Sequence, residues 1–190
     1  MAHPASRHIS YAEYLAAEAA SEVKHEYLRG EVFAMAGGTA DHARLSSQLI
    51  TALTIAMHDR PCAVFTSDLR IRIDATDLST YPDVSVVCGG LQHSAVDPIA
   101  ATNPILIAEV LSDSTEAYDR GEKFAHYRRL SSLREYLLVS QREPRIESYF
   151  RNAAGEWVLH EARAGERLSI RALEGVSLEI DAIYRDPFAR

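Results

Sequence analysis

The chain has 190 residues, with 20 Lys and Arg against 27 Asp and Glu, and so a formal net charge of −7 at pH 7. This length suits one domain, and we expect residues 1–190 to form a single folded unit. Proteins that coat nucleic acid non-specifically carry a basic surplus, because they neutralise phosphates. The acidic charge therefore argues against a passive coat, but it is compatible with an enzyme that has a local basic strip.

The cysteine content and the N-terminal residues predict a cytoplasmic protein with reduced thiols. Cys62 and Cys88 form no C-x-x-C pair, which argues against a disulfide scaffold or a thiolate zinc site. The N-terminal sequence MAHPASRHIS lacks the apolar segment of a secretion signal. No run approaches the roughly 18 apolar residues that a membrane span needs, so we expect no membrane partner.

Predicted helices and strands alternate along the chain. Ser10 and Glu13 have the spacing of a capping box and begin a short helix. Apolar residues at three-to-four spacing predict the longest helix over residues 41–58, and N-cap residues precede another helix over about 115–130. The predicted strands are 24–28, 31–35, 63–66, 69–73, 83–88, 105–111, 135–140, 145–151, 156–161 and 176–180.

This order of elements predicts the fold class. Strands surround two main helices, and the central strands are the most apolar. The pattern is typical of an α/β (α+β) fold with a mixed β-sheet flanked by helices. An N-terminal helix and hairpin precede the sheet, and additional antiparallel strands follow it near the C-terminus. By analogy at the level of the fold, these last strands are a candidate homodimer interface.

Two carboxylates occupy positions where the side chain would cost free energy if it had neither a partner nor a function. Asp83 follows Pro82 at the start of a strand, where proline is tolerated because it has no amide proton to donate. Glu109 interrupts the apolar run 105–111, and burying an unpaired carboxylate costs several kcal/mol. The alternatives are a simple turn aspartate, and a glutamate held in a salt bridge or on a wet face of its strand.

A stripe of polar residues lies on the helix that follows the Glu109 strand. Asp119, Lys123, His126 and Tyr127 are spaced to share one face of that helix. A solvated face with an ordinary Asp–Lys pair is the alternative. Together with the two strand carboxylates, however, the lysine completes a set suited to metal-dependent phosphodiester hydrolysis. Mg²⁺ binds one or two carboxylates and substrate phosphate oxygens, and it acidifies a bound water.

The sequence resembles the Uma2 family of endonucleases, in the PD-(D/E)XK nuclease superfamily, from about Ser10 to Ile180. The matching segments are 24–27 (KHEY), 30–31 (GE), 35–38 (MAGG) with His42, 81–84 (YPDV), 109–112 (EVLS), 114–115 (ST) with Asp119, Arg120, Lys123 and Tyr127, and 135–139 (EYLLV). The resemblance implies a restriction-endonuclease-like sheet, an Mg²⁺- or Mn²⁺-dependent endonuclease activity, and a nucleic-acid substrate, with DNA expected.

The resemblance also implies roles for individual residues. Asp83 matches the metal-binding aspartate of the superfamily, and Glu109 matches the acidic member of its D/E-x-K element. The position two residues later is Leu111 instead of lysine, a departure from the superfamily pattern, and Lys123 is expected to supply the charge from the helix. The Val110 carbonyl is a further candidate metal ligand. Additional acidic or supporting residues are Glu26, Glu31, Asp119, His42 and Tyr127, and the sequence does not choose between the two glutamates.

Substrate contacts and rival functions complete the expectations. The candidate nucleic-acid contacts are Arg70 and Arg72, which we expect to point outward from their strand, and Arg128 and Arg129. Because Leu111 replaces the usual lysine, the alternative is an inactive nuclease-fold module that binds nucleic acid or a protein partner. The scattered histidines form no H-E-x-x-H motif, and no G-x-S-x-G motif is present, which argues against a zinc hydrolase and a serine hydrolase.

Overall fold

The structure is a computed structural model that describes residues 8–35 and 37–188. Residues 1–7, used above in the targeting expectation, and Ala36 of the MAGG segment lie outside the described residues. The helices are α1 Tyr11–Ala19, α2 Ala40–Ala56, α3 Glu116–Tyr118, α4 Phe124–Tyr127 and α5 Ile180–Tyr184. The strands are β1 His25–Leu28, β2 Glu31–Ala34, β3 Cys62–Thr66, β4 Ile71–Ile73, β5 Leu78–Thr80, β6 Val84–Cys88, β7 Leu106–Val110, β8 Glu135–Val139, β9 Arg145–Arg151, β10 Trp157–Arg163, β11 Arg167–Ile170 and β12 Val176–Glu179.

A six-stranded sheet in the order β10-β9-β8-β7-β6-β3 is the centre of the molecule. Its pair β7–β8 is parallel and its other pairs are antiparallel, so the sheet is mixed. A second, antiparallel sheet has the order β2-β1-β5-β4, and β11 and β12 form a two-stranded ribbon. This architecture confirms the predicted mixed α+β fold, including the N-terminal helix and hairpin and the additional C-terminal strands.

Strand β7 is buried on both faces, and the alternation of its side chains determines the face on which Glu109 lies. Leu106, Ala108 and Val110 face a core cluster that includes α2 and α5. Ile107 and the following Leu111 face a second cluster, which includes Phe124 and Tyr127 of the helix after β7. Because successive strand residues point to opposite faces, Glu109 faces this second side, toward that helix.

The helix between β7 and β8 contains a wider turn than the sequence predicts. The segments α3 and α4 are joined by a π-helical turn over Asp119–Lys123, and we call the whole stretch 116–127 the site helix. The Tyr136 hydroxyl, from β8, donates a hydrogen bond to the Asp119 carbonyl at 3.0 Å. This bond satisfies a backbone group within the altered turn, and π turns are frequent at functional sites.

The predicted state of the cysteines is wrong. Cys62 in β3 and Cys88 in β6 lie directly opposite each other in the antiparallel register, and they form a disulfide. The two cysteines are 26 residues apart and form no local motif. The pairing of the two strands brings their sulfur atoms together. Within residues 8–35 and 37–188, no helix combines the length and apolar character needed to cross a membrane.

Candidate active site

A cleft of about 670 Å³ opens where β1, β6, β7 and the site helix meet. Four carboxylates line its inner part: Glu26, Asp83, Glu109 and Asp119. Lys123 lines the same cleft. The structure therefore brings together acidic and basic side chains from four separate parts of the sequence, among them the three features that sequence analysis singled out.

The pairing of β6 with β7 places Asp83 beside Glu109. Val84 is opposite Ala108 in the antiparallel register, so Asp83 immediately before β6 is next to Glu109 on β7. The Val110 amide donates a hydrogen bond of 2.7 Å to Oδ2 of Asp83, and the Asp83 amide donates one of 3.4 Å to Oε2 of Glu109. The Asp83 carboxylate is thus anchored by backbone hydrogen bonding at the rim of the sheet.

Glu109 is only 3% exposed and has two partners from the site helix. Its Oε1 lies 2.9 Å from Lys123 Nζ and accepts a hydrogen bond of 2.6 Å from the Tyr127 hydroxyl. Burial raises the pKa of Glu109 to about 8, the ammonium of Lys123 opposes that rise, and the neighbouring Asp83 and Asp119 add to it. Counted by side chains, four carboxylates lie near this one lysine, so acidic groups outnumber basic ones in the inner cleft.

Lys123 is the positive centre of this group of carboxylates. Besides Glu109, its Nζ lies 3.4 Å from Oε1 of Glu26 and 3.5 Å from Oδ1 of Asp119. Burial opposes the charge, but the carboxylates of Glu109, Glu26 and Asp119 hold the pKa of Lys123 well above its usual range. The amine is therefore an ammonium ion near neutral pH, able to stabilise negative charge but unsuited to accept a proton.

His42, at the start of α2, contacts the other side of Asp83. Its Nε2 lies 3.2 Å from Oδ2 of Asp83, and the hydrogen bond to Asp83 is the main cause that raises the pKa of His42. Gly38 makes this placement possible, because a Cβ atom there would lie only 2.8 Å from Nδ1 of the His42 ring. Gly38, the second glycine of the pair seen in the sequence, thus gives the histidine room beside the aspartate.

The structure distinguishes between the two glutamates that the sequence left open. Glu26 lies in the cleft and accepts a hydrogen bond from the Thr80 hydroxyl. Glu31 is exposed at the turn end of the hairpin, opposite Leu28. Both glutamates belong to the same hairpin face by register, but only Glu26 is far enough from the turn to reach Lys123.

The prediction that Arg70 and Arg72 point outward is wrong, because both side chains are buried, which disfavours them as nucleic-acid contacts. Arg70 is 6% exposed and pairs with Asp97 at 2.8 Å, while Arg72 pairs with Asp74 and Asp77, which lie between β4 and β5. The alternation along the strand predicts exposed side chains. In the structure, however, both arginines contact the rings of tyrosines in α1 and β1.

The other two candidate contacts, Arg128 and Arg129, are exposed. They follow the C-terminal end of the site helix and do not line the cleft. Their role in substrate binding stays a prediction.

Sequence reasoning missed several residues of the cleft. Phe33 of β2 and Tyr118 of the site helix line it, as do Gln141 and Arg142 after β8. The hairpin register offers a sequence signal for Phe33, since it is the cross-strand partner of Glu26. Gln141 and Arg142 come near the site through the parallel pairing of β7 with β8, and the sequence has no local pattern that shows this contact.

The donor atoms of the inner cleft fit a hard divalent cation. Carboxylate and backbone carbonyl oxygens are what Mg²⁺ and Mn²⁺ prefer. Within the described ranges no three His, Cys, Asp or Glu side chains already form a metal-binding group. Asp83, Glu109 and the Val110 carbonyl would therefore form an incomplete shell, of the kind Mg²⁺ completes with water and substrate oxygens. The excess of acidic over basic groups around Glu109 independently favours a cation there.

Fold and site together define a class: a mixed-sheet α+β protein whose cleft combines strand carboxylates with a helix lysine. Residues 11–181 match the profile of the Uma2 family, described as "Putative restriction endonuclease". The chain therefore belongs to the Uma2 family, as the sequence resemblance predicts.

The chain is also similar to individual proteins. The chain is 40% identical over 177 residues to the uncharacterized protein slr1290 of Synechocystis sp., covering 93% of this chain and 92% of that protein. It is 38% identical over 153 residues to sll1609 of the same organism, covering 80% and 86%. Among solved structures, "a putative nuclease belonging to DUF820" from Anabaena variabilis superposes with a TM-score of 0.70 at 16% identity, covering 86% and 91%. At that identity the superposition supports the fold.

Proposed function

We propose that this protein is a divalent-metal-dependent nuclease that hydrolyses phosphodiester bonds in nucleic acid, with DNA as the expected substrate. The observation that supports this most strongly is the 2.9 Å contact between Lys123 Nζ and Oε1 of Glu109, next to Asp83 in an open cleft. The Uma2 family is described as "Putative restriction endonuclease", and the Anabaena variabilis neighbour as "a putative nuclease". Restriction-endonuclease-like proteins generally use divalent metals.

Each residue has a distinct part in the proposed reaction. Asp83, Glu109 and the Val110 carbonyl would hold Mg²⁺ or Mn²⁺, which supplies an acidified water and neutralises charge that develops on the phosphate. Lys123 remains an ammonium and stabilises the same developing charge from the helix side. Tyr127 fixes the orientation of Glu109 through its 2.6 Å hydrogen bond, so it is a positioning residue.

The departure at Leu111 is consistent with this proposal. Leu111 is buried in the second core cluster, so its side chain is used for packing. Lys123 reaches Glu109 from the π turn of the site helix and supplies a positive charge next to that carboxylate. The inactive binding module, whose main support was the missing lysine, is therefore the less favoured function.

Cleavage of supercoiled, linear and single-stranded DNA with Mg²⁺, Mn²⁺ or EDTA tests the proposal. We expect Glu109→Gln to lose at least about 100-fold in rate, because it removes a ligand charge while keeping the side-chain shape. Glu122→Gln is a matched control, since Glu122 is an exposed acid in the same π turn. Equal cleavage by Glu109→Gln and wild type would trace the activity to a contaminating nuclease.

Lys123→Met tests the helix lysine separately. We expect a loss of about 100-fold or more with metal binding retained, measured by calorimetric titration of Mn²⁺. Unchanged turnover in this variant would contradict the role of Lys123 while leaving the metal-dependent nuclease intact.

A further inference from the structure

Phe33 is an exposed aromatic ring placed at the proposed reaction centre. It is 48% exposed and lines the cleft. Its cross-strand partner is Glu26, whose carboxylate lies 3.4 Å from Lys123 Nζ. Directly paired residues of an antiparallel sheet project from the same face with Cβ atoms about 5 Å apart. The ring therefore stands beside the carboxylate–lysine group and not on a distant surface.

Tyr118 places a second ring in the same cleft. It immediately precedes Asp119 on the site helix and is half-buried. Burial, aided by the neighbouring carboxylate of Glu26, raises the pKa of Tyr118 to about 12, so the phenol is neutral. In the described part of the chain, ring-to-ring contacts join other aromatic residues, and neither Phe33 nor Tyr118 stacks on any of them.

The charge of the cleft limits how a polyanion can bind there. The inner wall is acidic, and Arg142 at the edge is exposed and already paired with Asp113 at 2.6 Å. Phosphate contacts alone therefore offer little free energy of binding. Stacking of a nucleobase on an aromatic ring contributes about 1–3 kcal/mol per base and needs no basic residue.

A second groove continues from the first and suits the backbone of a strand. The two share His42, Asp83 and the Gly37–Gly38 turn, and the second has a volume of about 640 Å³. Its lining includes hydroxyl groups and one amine. The hydroxyls of Ser46, Thr51 and Thr66 and the amine of Lys24 already donate hydrogen bonds within the protein, so the hydroxyls of Ser47 and Ser67 are the donors this groove offers to a ligand. Hydroxyl and ammonium donors are common partners of sugar and phosphate oxygens. A strand crossing Asp83 would thus have rings on one side and hydrogen-bond donors on the other.

We propose that Phe33 and Tyr118 stack on bases of an unpaired nucleic-acid strand, so that the site selects single-stranded or frayed nucleic acid over intact duplex. The ring faces of a base are accessible to a protein only when the base is unstacked or flipped out of the helix. This inference rests on the proposed function, because the occupant is identified from the chemistry of the neighbouring site.

Binding without turnover tests the stacking directly. Fluorescein-labelled single strands and the matching duplex are titrated in EDTA by anisotropy, for both DNA and RNA. We expect Phe33→Ala to weaken single-strand binding about 10-fold or more. Phe33→Trp retains binding, and Phe33→Leu, which keeps an apolar side chain without a ring, behaves like Phe33→Ala. Ile55→Ala removes another exposed apolar side chain, on α2 outside both grooves, and is the matched control.

A base analogue gives a signature that a merely structural role would not produce. 2-Aminopurine in the single strand loses fluorescence when it stacks, so wild type quenches it and Phe33→Ala does not. Circular dichroism confirms that each variant is folded. Phe33-dependent binding of either DNA or RNA supports the inference, and the ratio between them identifies the preferred sugar.

The outcomes separate this inference from the proposed function. Cleavage that is as fast on duplex as on single strands, with Phe33→Ala equal to wild type, overturns the stacking and leaves the nuclease intact. Phe33-dependent binding without cleavage in Mg²⁺ or Mn²⁺ contradicts the nuclease and leaves the stacking intact. Binding to none of the oligonucleotides overturns the inference.

Discussion

Arg70→Met is the most decisive single substitution, because the sequence and the structure give Arg70 opposite roles. In the structure its Nη1 lies 2.8 Å from Oδ2 of Asp97, and its Nε donates a hydrogen bond of 2.8 Å to the Tyr81 hydroxyl. Asp97 is 1% exposed and also accepts a hydrogen bond of 2.8 Å from Tyr11. The substitution therefore leaves a buried carboxylate without its cation.

Because this ion pair is buried, we expect Arg70→Met to cause a large loss in the free energy of unfolding. Removing one partner of a buried ion pair costs about 3–5 kcal/mol, whereas an exposed pair contributes about 0–1 kcal/mol. Against a typical total of about 5–15 kcal/mol, Arg70→Met should lose a large part of the free energy of unfolding. Urea denaturation followed by circular dichroism at pH 7 measures this loss. Arg129→Met, which removes an exposed arginine, should change the same quantity by no more than about 0.5 kcal/mol.

The pH dependence of stability provides a second check on the same pair. Burial opposes ionisation, but the Arg70 guanidinium and the Tyr11 hydroxyl lower the pKa of Asp97 below its ordinary 3.8. A lowered pKa in the folded state stabilises the protein above the unfolded value, and this contribution is lost as the pH falls through the folded value. The stability difference between wild type and Asp97→Asn should therefore shrink below pH 3.8.

Two results would refute the burial of Arg70. One is an Arg70→Met variant as stable as Arg129→Met. The other is a change in the salt dependence of nucleic-acid binding, because loss of a phosphate contact lowers the slope of log K against log salt by about 0.9 for duplex DNA. The structure predicts an unchanged slope, measured on folded protein.

Three further predictions concern other parts of the fold. Dithiothreitol should lower the free energy of unfolding by about 3 kcal/mol by opening the Cys62–Cys88 loop, and a Cys62→Ser/Cys88→Ser double variant should not respond. Burial raises the pKa of Glu135 above its ordinary value of 4.5, so ionisation of this side chain destabilises the folded state as the pH rises through the folded-state pKa. The free energy of unfolding of Glu135→Gln, measured by urea titration, should therefore increase relative to that of wild type above pH 4.5. Leu111→Lys restores the superfamily pattern but buries an extra charge in the second core, so we expect a loss of several kcal/mol and no faster cleavage.

Much of the site could be predicted because its main residues differ in character from their neighbours in the sequence. Asp83 follows a proline at a strand start, and Glu109 is a lone acid in an apolar run. Both positions are unusual within a few residues of sequence, so they stand out without knowledge of the fold. The antiparallel register of β6 and β7 then places them side by side.

The features that the sequence did not reveal depend on contacts between distant segments. The choice of Glu26 over Glu31 follows from how the hairpin docks against the site helix. Arg70 and Arg72 point inward because α1 and the second sheet supply tyrosines and acids that no local alternation predicts. The disulfide likewise needs the pairing of β3 with β6. Apart from Asp74 and Asp77, which are two and five residues from Arg72, these partners are many residues away, and a local pattern has no information about them.

The net charge of −7 gains a structural meaning from these contacts. Arg70 and Arg72, which the sequence predicted as a basic strip, are buried and paired with Asp74, Asp77 and Asp97. The surface therefore has less positive charge near the cleft than composition suggests, and the cleft itself is acidic. Under the proposed function, a bound divalent ion would favour the approach of substrate phosphates to this wall. The remaining free energy of binding must then come from contacts that are insensitive to salt, which is the property of the exposed rings beside Glu26.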